Sequence, residues 1–429
     1  MISKIQHLYP ISGIRQKMTG AILAWAVVLL PVAVTTPPVQ AQTFSVIHTF
    51  INDGLDGEVP SAGLIRDGMG NLYGTASAGG ANPCFGDGTC GVVFKLDSAG
   101  NETVLHSFRI SDGSTPIAGL VRDGVGNLYG AAYFGAIDGG LCVFGCGTIF
   151  KLGASGKGTV LHAFTGYPSD GDGPAGDLLR DAAGNLYGTT AYGGENDYGT
   201  IFKVDSAGRE TVLYSFTGYG NDGARPLSGL VRDKAGTLYG TTYTGGTYGA
   251  GTIFKLDTGG TETVLYTFTD GADGQAPYGQ LIRDEAGNLY GTAWGGGLAG
   301  CAQYGCGTVF KLDVAGNFTV LHTFVGPTEG GSPYGGLLRD AAGNFYGTTE
   351  YGGSAACPEY GCGSVYKLDH AGNLTVLHMF TGGADGAQPM SALVRDPAGN
   401  LYGTATYGGR NTFCGGFTPG CGVVFKLAP

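Results

Sequence analysis

Five histidines in this 429-residue sequence share one recurring position, and they are the first residues to test as a metal site. They are His48, His106, His162, His322 and His378, and two further copies of the same segment carry Tyr214 and Tyr266 instead. Neighbouring members are more than fifty residues apart, so each belongs to a separate structural unit. Because metal ligands must converge on one point, we interpret these histidines as structural.

Charged residues recur with the same regularity. An Arg-Asp pair occurs seven times, from Arg66-Asp67 to Arg395-Asp396. Seven arginines in a ring can bind an anion, but we favour an interpretation in which each Asp caps a turn and each Arg pairs with an acidic group. A second acidic series, each member followed by Gly-x-x-Pro, consists of Asp56, Asp112, Asp170, Asp222, Asp273, Glu329 and Asp385. It does not have EF-hand spacing, so we expect no cofactor and keep Ca²⁺ as a lesser alternative.

Aromatic residues beside glycines are the better candidates for ligand binding, because they vary between copies. The predicted ligand-binding residues are Tyr133, Tyr192, Tyr243, Trp294, Tyr351 and Tyr407. Aromatic faces on loops suit sugar rings or extended polymers, since they combine apolar burial with a polar edge. Acidic residues able to hydrogen-bond sugar hydroxyls lie nearby, namely Asp138, Glu195, Asp197, Glu350 and Glu359. The alternative is that these aromatic rings pack against neighbouring units.

The ten cysteines form five local pairs: Cys84/Cys90, Cys142/Cys146, Cys301/Cys306, Cys357/Cys362 and Cys414/Cys421. Each pair precedes a Gly-[Val/Thr/Ser]-[Val/Ile]-[Phe/Tyr]-Lys segment, and the two copies without cysteines are the shortest. The longer copies are therefore the ones that contain a cysteine pair, as expected for an inserted loop that is closed by a disulfide. We predict five disulfides and an oxidising compartment.

No catalytic motif stands out. The sequence contains no His-Glu-x-x-His, no Gly-x-Ser-x-Gly and no phosphate-binding glycine loop. A pair of carboxylates can still cleave a glycosidic bond, because only their separation in space matters. Whether the protein is an enzyme is therefore left open, with binding favoured.

All these residues are positioned by one repeat, of which Leu179–Gly208 is a nearly complete copy. Its marker tyrosines are Tyr73, Tyr129, Tyr187, Tyr239, Tyr290, Tyr346 and Tyr402, at intervals of 51 to 58 residues. Each copy contains four short segments rich in β-branched and aromatic residues, separated by turns such as Asp-x-x-Gly-Asn. The pattern predicts an all-β fold: a seven-bladed β-propeller with four antiparallel strands per blade.

The two ends of the repeat array predict how the ring closes. Thr43–Phe50 is a copy of a fourth strand, and Val423–Leu427 is a copy of a third strand. We therefore expect the N-terminal strand to complete the last blade. The turns within the repeat then share one face, while the loops between second and third strands and the connections between blades occupy the other. That second, variable face is the predicted functional surface.

Residues 1–41 differ from the rest and predict a signal peptide, with cleavage after Ala41. Lys4, Arg15 and Lys17 precede a short apolar run and a Val-Gln-Ala site. Residues 42–429 are then a single propeller domain, and losing the three cations takes the net charge from −11 to −14. An acidic chain without basic clusters is not expected to bind nucleic acid. We expect no membrane span after cleavage, a monomer, and an extracellular or periplasmic location.

The repeat closely resembles the GloVer (Gloeobacter/Verrucomicrobia-type) tandem repeat. The likeness rests on Leu-x-Arg-Asp-Ala-Ala-Gly-Asn-Leu-Tyr-Gly-Thr-Thr and Tyr-Gly-Thr-Ile-Phe-Lys-Val-Asp, and it extends over residues 43–429. It implies a bacterial exported protein, often carrying a C-terminal anchor, and it points to no known enzymatic activity. This sequence stops at Leu427-Ala-Pro429, directly after a strand, so we expect no anchor. The Gly-Gly doublets, such as Gly193-Gly194, are more distantly similar to those of kelch propellers.

These observations together predict a secreted β-propeller that binds a carbohydrate or a surface partner through its loop-rich face. The alternatives are an extracellular glycoside hydrolase or polysaccharide lyase, and a structural protein of the cell envelope.

Overall fold

Short antiparallel strands make up the regular structure of this chain. A computed structural model describes residues 42–429 except 86–87, 137–141, 298–304, 354–356, 358–360, 410–413 and 415–419. The predicted signal peptide, residues 1–41, lies outside the described residues. Residues 42–429 form one compact unit. No helix in the described part of the chain has the length and apolar character needed to cross a membrane.

Seven blades of four strands each form the propeller, on six four-stranded sheets and one sheet with a fifth strand, and we number the blades 1 to 7 in the order of the repeats. The first strands are Ile65–Arg66, Val121–Arg122, Leu179–Arg180, Val231–Arg232, Ile282–Arg283, Leu338–Arg339 and Val394–Arg395. The second strands are Leu72–Ala76, Leu128–Ala132, Leu186–Gly193, Leu238–Thr242, Leu289–Ala293, Phe345–Thr349 and Leu401–Ala405. The third strands are Val92–Leu96, Thr148–Leu152, Thr200–Val204, Thr252–Leu256, Thr308–Leu312, Ser364–Leu368 and Val423–Ala428. The fourth strands are Glu102–Ser107, Gly158–Ala163, Glu210–Ser215, Glu262–Thr267, Phe318–Thr323, Leu374–Met379 and Thr43–Thr49.

Five further short strands lie where blades connect. Gly57–Glu58 pairs with Ala78–Gly79, Gly223–Ala224 pairs with Thr244–Gly245, and Gly171–Pro174 pairs with the long second strand of blade 3. These pairings tie the segment entering each blade to the end of a second strand. They bring together the two kinds of segment that were predicted to share the variable face.

The ring closes through the N-terminal strand, as predicted. Thr43–Thr49 pairs antiparallel with Val423–Ala428, and Thr43 is opposite Ala428. Blade 7 is also linked to blade 1 by a hydrogen bond of 3.2 Å from the Thr404 hydroxyl to the Ala62 carbonyl. The same bond, from a second-strand threonine to the next blade, occurs inside the ring, for example from Thr189 to Ser228 at 2.9 Å. The seven-bladed all-β fold is thereby confirmed.

The Asp-x-x-Gly turns fold as expected, but within the described residues no salt bridge joins an arginine of the Arg-Asp repeat to an acid. The Asp67 carboxylate accepts the Asn71 backbone N–H at 2.9 Å and the Tyr73 hydroxyl at 3.0 Å. The neighbouring blade's Arg122 then places its guanidinium over the Tyr73 ring, 5.8 Å from the centroid. Equivalent arginines do the same to the tyrosine of the preceding blade from blade 3 to blade 7. A cation over an aromatic face contributes about 0.5–1 kcal/mol at an exposed site, so the Arg-Asp repeat joins neighbouring blades.

The hydrophobic core is divided into clusters that each span two neighbouring blades. One cluster joins Val93 and Phe108 of blade 1 to Leu120, Leu128 and Phe150 of blade 2. A phenylalanine after every fourth strand is fully or almost fully buried in this way: Phe50, Phe108, Phe164, Phe216, Phe268, Phe324 and Phe380. Because no blade buries its faces alone, the stability of each one depends on its neighbours.

Candidate functional site: a tyrosine-lined cavity

A cavity of about 520 Å³ opens where the segments that enter all seven blades converge. Each entering segment begins with a proline, and the residues after it line the cavity, for example Ala175, Gly176 and Asp177 in blade 3. The ends of several second strands complete the wall. Contributions from all seven blades place this cavity around the propeller axis, on the face that the sequence predicts to be functional.

Six tyrosines from blades 2 to 7 line this cavity: Tyr133, Tyr192, Tyr243, Tyr278, Tyr334 and Tyr407. Tyr278 stacks on Tyr334 with ring centroids 4.1 Å apart, and Tyr243 meets Tyr278 edge-on at 5.1 Å. Burial raises the pKa of Tyr133, Tyr278, Tyr334 and Tyr407 above the usual value for a phenol. Their hydroxyls therefore stay protonated and can donate hydrogen bonds to a ligand.

The structure gathers four of the six predicted ligand-binding residues at this cavity, namely Tyr133, Tyr192, Tyr243 and Tyr407. Trp294 and Tyr351 are not among the lining residues. The Trp294 indole donates a hydrogen bond of 2.8 Å to Glu350, and Tyr351 also hydrogen-bonds that carboxylate. Trp294 therefore makes the contact between blades that was the alternative interpretation of the aromatic residues.

Tyr278 and Tyr334 were missed because they follow the proline of an entering segment and not a second strand. The residues at this position are Ser61, Ile117, Ala175, Leu227, Tyr278, Tyr334 and Met390. The two tyrosines differ from the other five in size and polarity. Aligning the Gly-x-x-Pro segments would have revealed them.

Asp177 is the acidic residue of the cavity wall. It stands three residues after the proline, where other blades carry Gly, Gln or Ala. One carboxylate oxygen accepts the Gly119 backbone N–H at 2.6 Å, across the boundary between two blades. Burial raises its pKa, and this one hydrogen bond opposes the shift. A carboxyl group with a raised pKa is more readily protonated. In its protonated form it can donate as well as accept a hydrogen bond.

The Tyr133 ring can occupy its position because residue 173 is a glycine. Its ring lies against Gly173, where a Cβ atom would come within 2.9 Å of the ring. Gly173 also has a positive φ of 67°, a conformation that side chains disfavour. Glycine at this point thus lets the Tyr133 ring face the cavity.

The other acidic candidates are used for structure or lie elsewhere. Asp197 accepts the Gly193 backbone N–H at 2.9 Å. Burial raises the pKa of Glu350, which hydrogen bonds from Trp294 and Tyr351 partly offset. Glu195 is exposed, and Asp138 and Glu359 lie outside the described residues.

The histidines bond the acidic residue that follows their own strand. His162 lies 3.1 Å from Asp170, and Tyr214 donates to Asp222 at 3.2 Å in the equivalent place. The Asp170 carboxylate also accepts the N–H groups of Thr165 at 2.9 Å and Gly171 at 2.7 Å. Both carboxylate oxygens of Asp170 therefore accept hydrogen bonds from the protein.

Two of these pairs gain a glutamate from the next blade. His48, Asp56 and Glu102 form one group, and His162, Asp170 and Glu210 form the other, with ligand atoms within 4.8 Å of one another. Burial and the nearby Asp56 raise the pKa of Glu102 to about 8. In the second group, burial and the nearby Asp170 raise the pKa of Glu210 to about 7.

The cysteine pairs form disulfides as predicted wherever both partners are described. These are Cys84–Cys90, Cys142–Cys146, Cys357–Cys362 and Cys414–Cys421. Cys306 is also disulfide-bonded, but Cys301 lies outside the described residues. Each described bridge closes a short loop next to a third strand.

Comparison with known protein families identifies the repeat. The family model described as the Gloeobacter/Verrucomicrobia repeat matches residues 33–240, 85–303, 137–357 and 298–429. The chain belongs to this family. Together the matches extend over the whole propeller of this Gloeobacter/Verrucomicrobia repeat protein. A search of curated proteins found no match.

Solved structures share the fold of this family member at low sequence identity. A fungal alcohol oxidase of the AA5 family in complex with copper is 14% identical, with a TM-score of 0.58 over 91% of this chain and 77% of its own. The extracellular domain of a protein described as a hybrid two-component system from B. thetaiotaomicron is 14% identical, with a TM-score of 0.55 over 90% of this chain and 42% of its own. A chain of a mitotic checkpoint complex is 12% identical, with a TM-score of 0.53 over 95% of this chain and 99% of its own. At such identities the likeness shows the propeller fold alone.

Proposed function

We propose that this protein is an exported carbohydrate-binding propeller that takes a sugar into the tyrosine-lined cavity. The observation that carries the proposal is the convergence of six tyrosines, from six of the seven blades, on one cavity. Sugar rings present apolar C–H faces and a rim of hydroxyl groups. Tyrosine rings bury the faces, and their hydroxyls bond the rim.

The size and polarity of the cavity support this ligand class. A volume of about 520 Å³ lies within the range of about 300–1,000 Å³ that is usual for small-molecule sites. Asp177, Gln280 and Ser228 add polar groups to the wall. Sites that fix hydroxyl groups through a few placed polar side chains discriminate strongly between ligands.

Export is supported by two independent features. The first is the leader expected at residues 1–41, which ends in a Val-Gln-Ala cleavage site. The second is the set of disulfides in the loops, since such bonds persist in oxidising compartments.

The hydrolase alternative receives less support from this cavity. Glycosidases use two carboxyl groups about 5–10 Å apart on either side of the scissile bond. Among the lining residues described, Asp177 is the one carboxylic acid. Glu350 is held by Trp294 and is not a lining residue, so binding is the function that the wall favours.

A glycan array probed with residues 42–429 tests the proposal, followed by calorimetry on any sugar that binds. Tyr243→Ala and Tyr407→Ala each remove one ring from the wall, and we expect either change to weaken binding about fivefold to 150-fold, given about 1–3 kcal/mol per stacked ring. Tyr248→Ala is the matched control, because Tyr248 is 63% exposed and does not line the cavity. Silence across the array, or equal losses in the control, would refute a sugar site here.

A further inference from the structure

Arg225 occupies a position that the fold fixes in every blade and that is charged in only one. The residue before the entering proline is Val59, Thr115, Gly173, Arg225, Ala276, Ser332 or Gln388, and all seven have φ between 53° and 67°. Each donates its backbone N–H to a carbonyl of the preceding blade, at 2.8 Å from Arg225 to Tyr198. Since neutral residues satisfy this backbone geometry in six blades, the arginine side chain is not needed for the fold.

The Arg225 side chain is placed on the cavity and is not neutralised there. Its guanidinium lies over the Tyr192 ring, 5.1 Å from the centroid, and it is the single cation among the lining residues described. The salt bridges found in the described part of the chain do not include it. A guanidinium stacked on one face keeps its edge N–H groups free for an anion.

A second pair of aromatic rings is connected to Arg225 through a backbone hydrogen bond. Tyr198, whose carbonyl accepts the Arg225 N–H, meets Tyr219 edge-on with ring centroids 5.5 Å apart. Tyr219 is 68% exposed, and neither tyrosine lines the cavity. Arg225 therefore has its guanidinium on a cavity tyrosine and its backbone N–H on Tyr198, which contacts the exposed Tyr219 ring.

We infer that the ligand is an acidic oligosaccharide, with one sugar unit in the cavity, a uronate carboxylate on Arg225 and a further unit on Tyr219. This inference rests on the proposed function and names the substrate class of the same site. A carboxylate matches the two parallel N–H groups of a guanidinium. A monosaccharide can occupy only the cavity, whereas an oligomer can also reach the exposed Tyr219 ring.

The test compares sugars that differ only in charge. Dimers and trimers of galacturonate and glucuronate are titrated into residues 42–429 by calorimetry, each beside its carboxyl-reduced neutral counterpart. We expect at least one acidic oligomer to bind roughly tenfold to a hundredfold more tightly than its neutral partner, as a charge-assisted hydrogen bond implies. Arg225→Gln should remove that difference, so that the acidic oligomer binds no more tightly than its neutral counterpart.

Two variants separate the contributions. Tyr219→Ala should weaken the trimer severalfold and leave the monosaccharide unchanged, because only the longer ligand reaches that ring. Arg209→Gln is the control for charge, since Arg209 is 82% exposed, pairs with Asp205 and belongs to a turn between third and fourth strands. It should change neither acidic nor neutral binding.

The outcomes distinguish this inference from the proposed function. Equal affinities for acidic and neutral oligomers, or equal losses from Arg225→Gln and Arg209→Gln, overturn the acidic-ligand inference while leaving the sugar site intact. Failure of every sugar, neutral ones included, overturns both.

Discussion

Replacing Phe50 with alanine tests how the ring is closed. The Phe50 side chain is 0% exposed, and its ring meets Phe94 of blade 1 edge-on at 5.2 Å. It belongs to the cluster that joins blade 7 to blade 1 and includes Leu72 and Val424. Removing a phenyl ring from such a core costs about 3–5 kcal/mol, so the free energy of unfolding should fall by that amount.

The equivalent change at Phe216 supplies a matched control. Phe216 is also 0% exposed and meets Phe254 edge-on at 5.3 Å, so the local loss is the same. Its strand, however, is joined to the preceding third strand by a tight turn. The strand Thr43–Thr49 has no such link to Val423–Ala428, because the two lie at opposite ends of the described chain. Weakening its anchor therefore permits that strand to detach before the rest unfolds.

Urea titrations measure the loss of unfolding free energy, and hydrogen exchange on the folded variants measures the detachment of the N-terminal strand. Both variants should lose similar stability, but only Phe50→Ala should lose amide protection selectively over Val423–Ala428, through a local opening. Phe216→Ala should keep Thr200–Val204 as protected as the rest of the core. Equal protection patterns in the two variants, or a cost below about 1 kcal/mol for Phe50→Ala, would show that the N-terminal strand does not hold the ring closed.

Three further predictions concern single side chains. Gly173→Ala should lower the urea midpoint and weaken sugar binding, because its Cβ would approach the Tyr133 ring to 2.9 Å and φ is 67°; we expect a loss of about 1–3 kcal/mol, and an unchanged midpoint would contradict it. Glu102 has its pKa raised from 4.5 to about 8, so the folded state binds more protons and stability should fall as the pH rises from 4.5 to 8. Glu102→Gln should flatten that part of the profile in urea titrations at several pH values, and an unchanged slope would refute this account. Asp177→Asn should raise the urea midpoint at pH 8 while weakening sugar binding, since the amide keeps an acceptor for the Gly119 N–H and removes a carboxyl group whose raised pKa in the folded state opposes folding at that pH; a lower midpoint would show that the carboxyl group stabilises the fold.

The fold could be predicted in detail because the sequence encodes the same blade seven times. The Asp-x-x-Gly turns set the register of the first and second strands, as Asp67 and its bond to Tyr73 show. The copy of a fourth strand at Thr43–Thr49 predicts the closure, and this strand pairs with Val423–Ala428 in the structure. Both features depend on local sequence, which repetition makes easy to read.

The site could be predicted only in part because it forms where different blades meet. Tyr133 and Trp294 hold the same position after a second strand, yet one lines the cavity and the other bonds Glu350 in the next blade. The difference depends on Glu350, which is 56 residues from Trp294 in the sequence. Tyr278 and Tyr334 lie in entering segments without strand periodicity, so nothing local marked them as neighbours in space.

Departures from the repeat are the strongest evidence for function in this protein. A sevenfold scaffold is satisfied by residues that all blades share, so an exceptional residue needs a separate reason. Asp177 replaces the Gly, Gln or Ala of other blades. Burial raises the pKa of its carboxyl group, so this residue lowers the stability of the fold at neutral pH. Arg225 adds an unpaired cation where six blades carry neutral residues. A ligand that bonds both groups would explain why a scaffold stable without them retains them at one cavity.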